Sequence, residues 1–168
     1  MGILERFSCR AFASDPLTEA DTRRLLESAR WAPSAGNCQP WRFIAVTSSR
    51  IRRELARAAG QEFVADAPLV IAVCAVPHES ERRYGERGRS LYVLQDTAAA
   101  TQNILLAASD IGLGSCWVGA FDERTAAAAL DLPPGWRPVA LVPVGRPLER
   151  PGRRERRPLQ EVAVFKAD

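Results

Sequence analysis

Leu69-Val70-Ile71-Ala72-Val73-Cys74-Ala75-Val76 is an unbroken apolar run of strand length. A strand with one wet face alternates polar and apolar residues, whereas one with no polar residue at either parity is covered on both faces. The run therefore predicts a strand in the middle of a sheet that is sandwiched by helices. Upstream, Thr18 with Asp21 is a capping-box variant, and Leu25, Leu26 and Ala29 form one apolar stripe that ends at Pro33. Arg42–Thr47 reads as a short strand, and a helix capped by Ser49 carries Ile51, Leu55 and Ala58 inward until Gly60. Downstream, 90–111 is apolar or alanine-rich on nearly every face and predicts a long central helix, stopped by Gly112 and Gly114. A strand around 116–119, an alanine-rich helix capped by Asp122 and a strand over 139–144 complete the order. Pro77–Arg89 and 148–157 read as loops, and 159–165 as a last edge strand or an arm. The fold class is α+β with a mixed sheet.

Composition narrows the function. At 168 residues, 46% of them hydrophobic, the chain suits one domain spanning 1–168. A net charge of +3, with no interleaving of basic and aromatic residues, gives no support to nucleic-acid binding. Cys9, Cys38, Cys74 and Cys116 are widely spaced and His78 is the only histidine, so a metal site is not expected. No basic, apolar and small-residue leader opens the chain, and a reducing cytoplasm is the expected location. No apolar stretch approaches the roughly 20 residues of a membrane helix, and no membrane association is expected.

Two segments carry chemistry. In Arg6-Phe7-Ser8-Cys9-Arg10 an extended backbone aims Arg6, Ser8 and Arg10 to one side, where two guanidinium forks and a hydroxyl suit a phosphate monoester. In Ala32-Pro33-Ser34-Ala35-Gly36-Asn37-Cys38-Gln39-Pro40-Trp41, a rigid polar loop offers Ser34, Asn37 and Gln39 to a planar heteroaromatic ligand. Gly36 lets backbone approach closely there.

These two blocks, the Asp96–Gln102 helix segment and Gly112-Leu-Gly-Ser-Cys-Trp-Val-Gly-Ala-Phe121 occur in order along the chain. Together they resemble the FMN-dependent nitroreductase family. The resemblance implies a nitroreductase-like α+β sandwich and an obligate homodimer with FMN at the subunit interface. It also implies that the C-terminal segment, about 148–168, reaches onto the partner subunit. NADH or NADPH would donate hydride to the flavin N5, and a nitroarene, quinone or similar small electron-poor acceptor would then take its place in a ping-pong cycle. No side chain need act as nucleophile or base.

By that resemblance Arg6 and Ser8 contact the flavin phosphate, with Arg156 closing on it and Arg154 as a second. Phe7 belongs to the same cofactor segment but stands where many relatives carry Arg or His, so lower phosphate affinity is expected. Arg10 reaches the N1 and O2 edge, where a cation favours the reduced, anionic ring. Pro33, Ser34 and Asn37 reach the flavin from the second subunit, with Gln39 as a brace of that loop. Gly119 and Ala120 offer backbone N–H groups to N5 and O4, Trp117 walls the closed face, and Gln61 contacts the pyrimidine ring.

Plainer readings stand beside these. Isolated arginines are usually solvated, Trp41 suits a core, and His78 suits a strand end or solvent. Cys38 and Cys116 read as small buried hydrophobes, and Gly112-x-Gly114 reads as a helix stop, since a strand follows where a dinucleotide fold needs a helix. Tyr84 and Arg87 suit either the pocket mouth or the dimer contact. Two alternative functions remain: an FMN store or sensor without turnover, and a divergent flavoenzyme of dehalogenase, flavin-fragmenting or dehydrogenating-oxidase type.

Overall fold

The computed structural model describes residues 3–152 and 154–167. Strands β1 (Trp41–Val46), β2 (Leu69–Ala75), β3 (Gly114–Ser115) and β4 (Arg137–Gly145) form one sheet in the order β1-β2-β4-β3. All ladders between them are antiparallel. The sheet is thus antiparallel rather than mixed, and the one parallel pairing, Ser8 with Ser115, is an isolated bridge outside the named strands. As its composition requires, β2 is central and every residue in it is buried.

The two parities of the inner strands face two cores. Leu69, Ile71, Val73, Ala140, Val142 and Val144 pack against Leu25 and Ala29 of α1 (Glu19–Arg30) and Ile104, Leu105 and Ala108 of α5 (Val93–Asp110). Val70, Ala72 and Leu141 meet Leu55 and Ala56 of α2 (Ser49–Ala59), Val64 of α3 (Phe63–Asp66) and Ala126 of α6 (Glu123–Ala129). Period-two alternation thus divides one apolar run between two helical layers.

The helix ends follow their sequence signals, with one shift. Thr18 and Asp21 close a reciprocal capping box on α1, Asp122 accepts from the Thr125 N–H at α6, and Gly60 ends α2 at φ 61°. The cap position of α2 is Ser48 rather than Ser49, and its hydroxyl makes no capping bond. The central helix α5 follows a π-turn over Gly88–Tyr92, so the predicted start at 90 falls inside that turn.

Three further expectations are corrected. Pro77–Arg89 is not a loop: α4 spans Pro77–Arg87, with proline at its start and His78 exposed on its first turn. The strand predicted around 116–119 is shorter and earlier, at β3, and beyond it only Val118 bridges, to Leu141. Residues 159–165 form no strand; α7 (Leu159–Val162) is one exposed helical turn, because an isolated tail has no neighbouring strand to pair with.

The N-terminal segment is fastened along the far edge of the sheet. The Cys9 N–H donates to the Ser115 carbonyl at 2.9 Å, the Ala13 N–H to Arg146 at 2.9 Å, and the Leu148 N–H to Ala11 at 3.0 Å. Cys9, Phe12 and Ala67 make a small third core beneath it. Among the described residues no helix is long and apolar enough to cross a membrane.

Candidate functional site

Fastening 8–13 beside β3 brings most of the first segment's residues to one place. Burial pushes the Cys116 thiol up, and the neighbouring Arg10 guanidinium, Ser8 hydroxyl and Arg6 guanidinium hold that rise back. Ser8 bridges Ser115, directly before Cys116, which is 2% exposed, and Arg6 and Arg10 flank Ser8 along the same fastened segment. Neither guanidinium has a carboxylate partner among the described residues. Arg10 lies over the Phe63 ring at 5.7 Å, an apolar support that leaves its fork free. Phe7 is half-buried under Arg150, with 5.6 Å from guanidinium to ring, and packs against the third core. Its role in the described structure is a packing one.

The chain leaving Cys116 runs along the same corner. Trp117 is 39% exposed, and Gly119 and Ala120 are exposed with no hydrogen-bond partner for either N–H among the described residues. The Asp122 N–H donates to the Ala58 carbonyl at 2.9 Å, drawing the end of α2 toward this stretch. Gln61 follows directly, half-buried, two residues before the Phe63 that supports Arg10. One corner thus gathers two unpaired cations, a hydroxyl, an indole, two open amides and the turn carrying Gln61.

Pro33, Ser34 and Asn37 are not at that corner. Their loop enters β1, on the opposite edge of the sheet, three strand spacings or about 14 Å from β3. It is tied to Asp96 near the start of α5, whereas β3 follows that helix's end, about 21 Å away at 1.5 Å per residue. The two groups therefore lie at opposite edges of the sheet. Within the loop Gln39 is a brace: its N–H donates to Ser34 Oγ at 3.0 Å and its Nε2 to Asn37 Oδ1 at 3.3 Å. A cleft of about 1010 Å³ opens beside it, bounded by Leu26 and Arg30 of α1, Gln39, Trp41 and Phe43, and Arg82 of α4.

Arg154 and Arg156 lie on the exposed tail. Arg156 donates to the Arg154 and Glu155 carbonyls of that tail, and among the described residues neither arginine bonds to the Arg6 segment.

The nitroreductase family model matches residues 3–64 and 56–146, nearly the whole folded body. The chain belongs to the nitroreductase family. An NADH dehydrogenase of Thermus thermophilus is 32% identical over 97% of this chain and 93% of its own length. A 5,6-dimethylbenzimidazole synthase of Rhodospirillum rubrum is 34% identical over 91% of this chain and 87% of its own. Among solved structures, a nitroreductase family protein of Clostridium difficile 630 has a TM-score of 0.86 over 99% of each chain, at 28% identity. Membership makes this nitroreductase-family chain an oxidoreductase, and the family generally uses FMN and NAD(P)H.

The residues present fit that cofactor. A phosphate would satisfy the unpaired Arg6 and the Ser8 hydroxyl, and a ring rich in acceptors would satisfy the open Gly119 and Ala120 amides. Bound FMN would supply hydride exchange. With it bound, the chain's own part would be to hold the anion through Arg6 and Ser8, supply the Arg10 cation, and offer the fixed Gly119 and Ala120 amide dipoles.

Sequence reasoning missed Asp96, Arg83 and Tyr84 as parts of the loop's surroundings. Asp96 and Arg83 each bond a backbone group of the loop, the Ala35 N–H and the Gly36 carbonyl, and Tyr84 stacks edge-on against Tyr92. No side-chain pattern advertises a backbone partner.

Proposed function

We propose that the protein is a homodimeric, FMN-dependent NAD(P)H oxidoreductase of nitroreductase type. Nitroaromatics, quinones or similar electron-poor compounds are its acceptors, reduced after release of the oxidised nicotinamide. The observation that carries this reading is the Arg6, Ser8 and Arg10 segment fastened beside β3, with no carboxylate partner for either guanidinium among the described residues, next to the open amides of Gly119 and Ala120. The distance between that corner and the Pro33–Asn37 loop supports a site completed by the partner subunit's loop, with Arg154 and Arg156 brought to the phosphate by the tail of the assembled dimer. The whole of 1–168 serves as one flavin-binding domain.

The deciding experiment is the visible spectrum of the purified protein during anaerobic addition of NADPH, then NADH. Flavin bands that bleach and return on adding menadione establish the oxidoreductase. Bands that resist both donors would replace it with an FMN store, and a protein unable to take up FMN would end the flavin reading.

A second reading rests on the likeness to the Rhodospirillum rubrum enzyme: formation of 5,6-dimethylbenzimidazole. Chromatography of an aerobic incubation of reduced flavin with the protein separates the two. Recovery of intact flavin supports the reductase, and loss of flavin with appearance of dimethylbenzimidazole supports the synthase.

A further inference from the structure

The loop between α1 and β1 puts three residues in the left-handed region: Gly36, Asn37 and Gln39 have φ of 55°, 56° and 51°. Glycine and asparagine tolerate that region, whereas Gln39 bears a steric cost there and persists only where its surroundings dictate it. Internal bonds account for part of this: Gln39 to Ser34 and Asn37, and the Asn37 N–H to the Ser34 carbonyl at 2.9 Å.

The rest comes from outside the loop, at two backbone groups. The Ala35 N–H donates to Asp96 Oδ1 at 3.0 Å, and Arg83 Nη1 donates to the Gly36 carbonyl at 2.7 Å. Asp96 is 6% exposed, and its Oδ2 is buried with no partner among the described residues. A carboxylate kept under such conditions for a single backbone bond is an expensive device for a loop free to move. The Tyr84 hydroxyl and the Arg83 guanidinium fill the space where a Cβ on Gly36 would stand, so the glycine is required by both its φ and its neighbours.

Both grips belong to one rigid unit. Arg83 lies over Tyr84 at 5.6 Å, Tyr84 meets Tyr92 edge-on at 5.2 Å, and Arg87 Nε donates to the Tyr92 hydroxyl at 2.9 Å. Tyr92 immediately precedes α5, which carries Asp96. The helix hairpin from α4 to α5 therefore holds the loop on both sides.

We propose that Asp96 and Arg83 are positioning residues that fix the Ser34–Asn37 turn in the shape in which it meets flavin, Asp96 through the Ala35 amide and Arg83 through the Gly36 carbonyl. The inference rests on the reading that this turn contacts FMN, and its test separates the two. Three variants serve: Arg83→Met keeps the stem and removes the donors, Arg83→Lys keeps one, and Asp96→Asn keeps an acceptor for the Ala35 N–H. The readouts are amide hydrogen exchange at Ala35 and Asn37 without flavin, FMN affinity from quenching of flavin fluorescence, and thermal midpoint.

For Arg83→Met, faster exchange at both amides is expected, with FMN binding weakened about 10-fold, as suits a lost bond from a charged donor. Its midpoint should stay within about 2 °C of the parent. Arg83→Lys and Asp96→Asn should restore affinity and protection to near the parent values. Unchanged exchange and FMN affinity in Arg83→Met would overturn the proposal. So would a loss of affinity matched by a general fall in midpoint, which marks a merely structural residue. If the parent protein takes up no FMN, the flavin reading fails, and the exchange rates still decide whether the two residues hold the turn.

Discussion

Arg6 and Arg10 have no carboxylate partner among the described residues, and their value depends on an anion arriving. Arg6→Ala should weaken FMN binding about 10- to 100-fold, the equivalent of about 1.5–3 kcal/mol for a hydrogen bond to a charged group. Arg10→Ala should lower the flavin reduction potential as well, which a dye-coupled titration measures, and equal potentials in the two variants would refute the division of roles. Asp96 supplies a pH test. Burial raises its carboxyl above the ordinary range and the Ala35 amide partly offsets this, so the folded state holds the proton more tightly than the unfolded chain. Its contribution to stability is then full below the ordinary value of about 3.9 and is lost as pH rises through the folded value. Asp96→Asn cannot ionise, so its thermal midpoint relative to the parent should rise with pH across that window; a constant difference would show that Asp96 ionises freely in the fold. The alternating Arg6, Ser8 and Arg10 were legible because side-chain chemistry announces itself in sequence. Asp96 and Arg83 were not, since their partners are the Ala35 N–H and the Gly36 carbonyl, which every residue type possesses.

Among the elements, β2 and the cores on its two faces were readable from one apolar run, and α1 from its capping box. The helix α4 was not readable, because its sequence of Glu, Arg, Ser and Tyr has no apolar stripe and Ser80 is its sole buried residue. Tertiary contact forms it instead. Gly85, at φ 57°, turns the chain, and Gly88 then comes so close to the Ser80 backbone that a Cβ there would overlap the Ser80 carbonyl. Gly88→Ala must push α4 away from the π-turn, a cost of about 1–3 kcal/mol typical of overpacking. Chemical denaturation should report that loss, and because the hairpin carries Arg83, exchange at Ala35 should quicken as well. An unaltered denaturation midpoint would mean the hairpin opens without cost and is no rigid support.

At the scale of the whole molecule, the fold leaves apolar surface that one chain does not cover. Ile3, Leu4, Trp31, Leu159, Val162, Val164 and Phe165 are all exposed, Val164 and Phe165 at 85% and 86%. Scattered exposed hydrophobes are ordinary, but a tail carrying four of them gains nothing from ordering unless a second surface receives it. The cleft beside β1 offers the half-buried Leu26 and Phe43 to such a tail, on the edge that also carries the Pro33–Asn37 loop. Sequence pattern alone did not reveal that the two candidate segments lie at opposite edges of the sheet, because separation in space is a property of strand order. If the partner supplies the missing half, dimerisation and flavin binding must be linked. Light scattering should show the parent as a dimer, and Val164→Asp with Phe165→Asp should shift it toward monomer while weakening FMN binding in proportion. Arg6→Ala, by contrast, should lose FMN and remain dimeric. A charged double variant that is monomeric yet binds FMN as the parent does would place the whole site within one chain and overturn the shared-site reading.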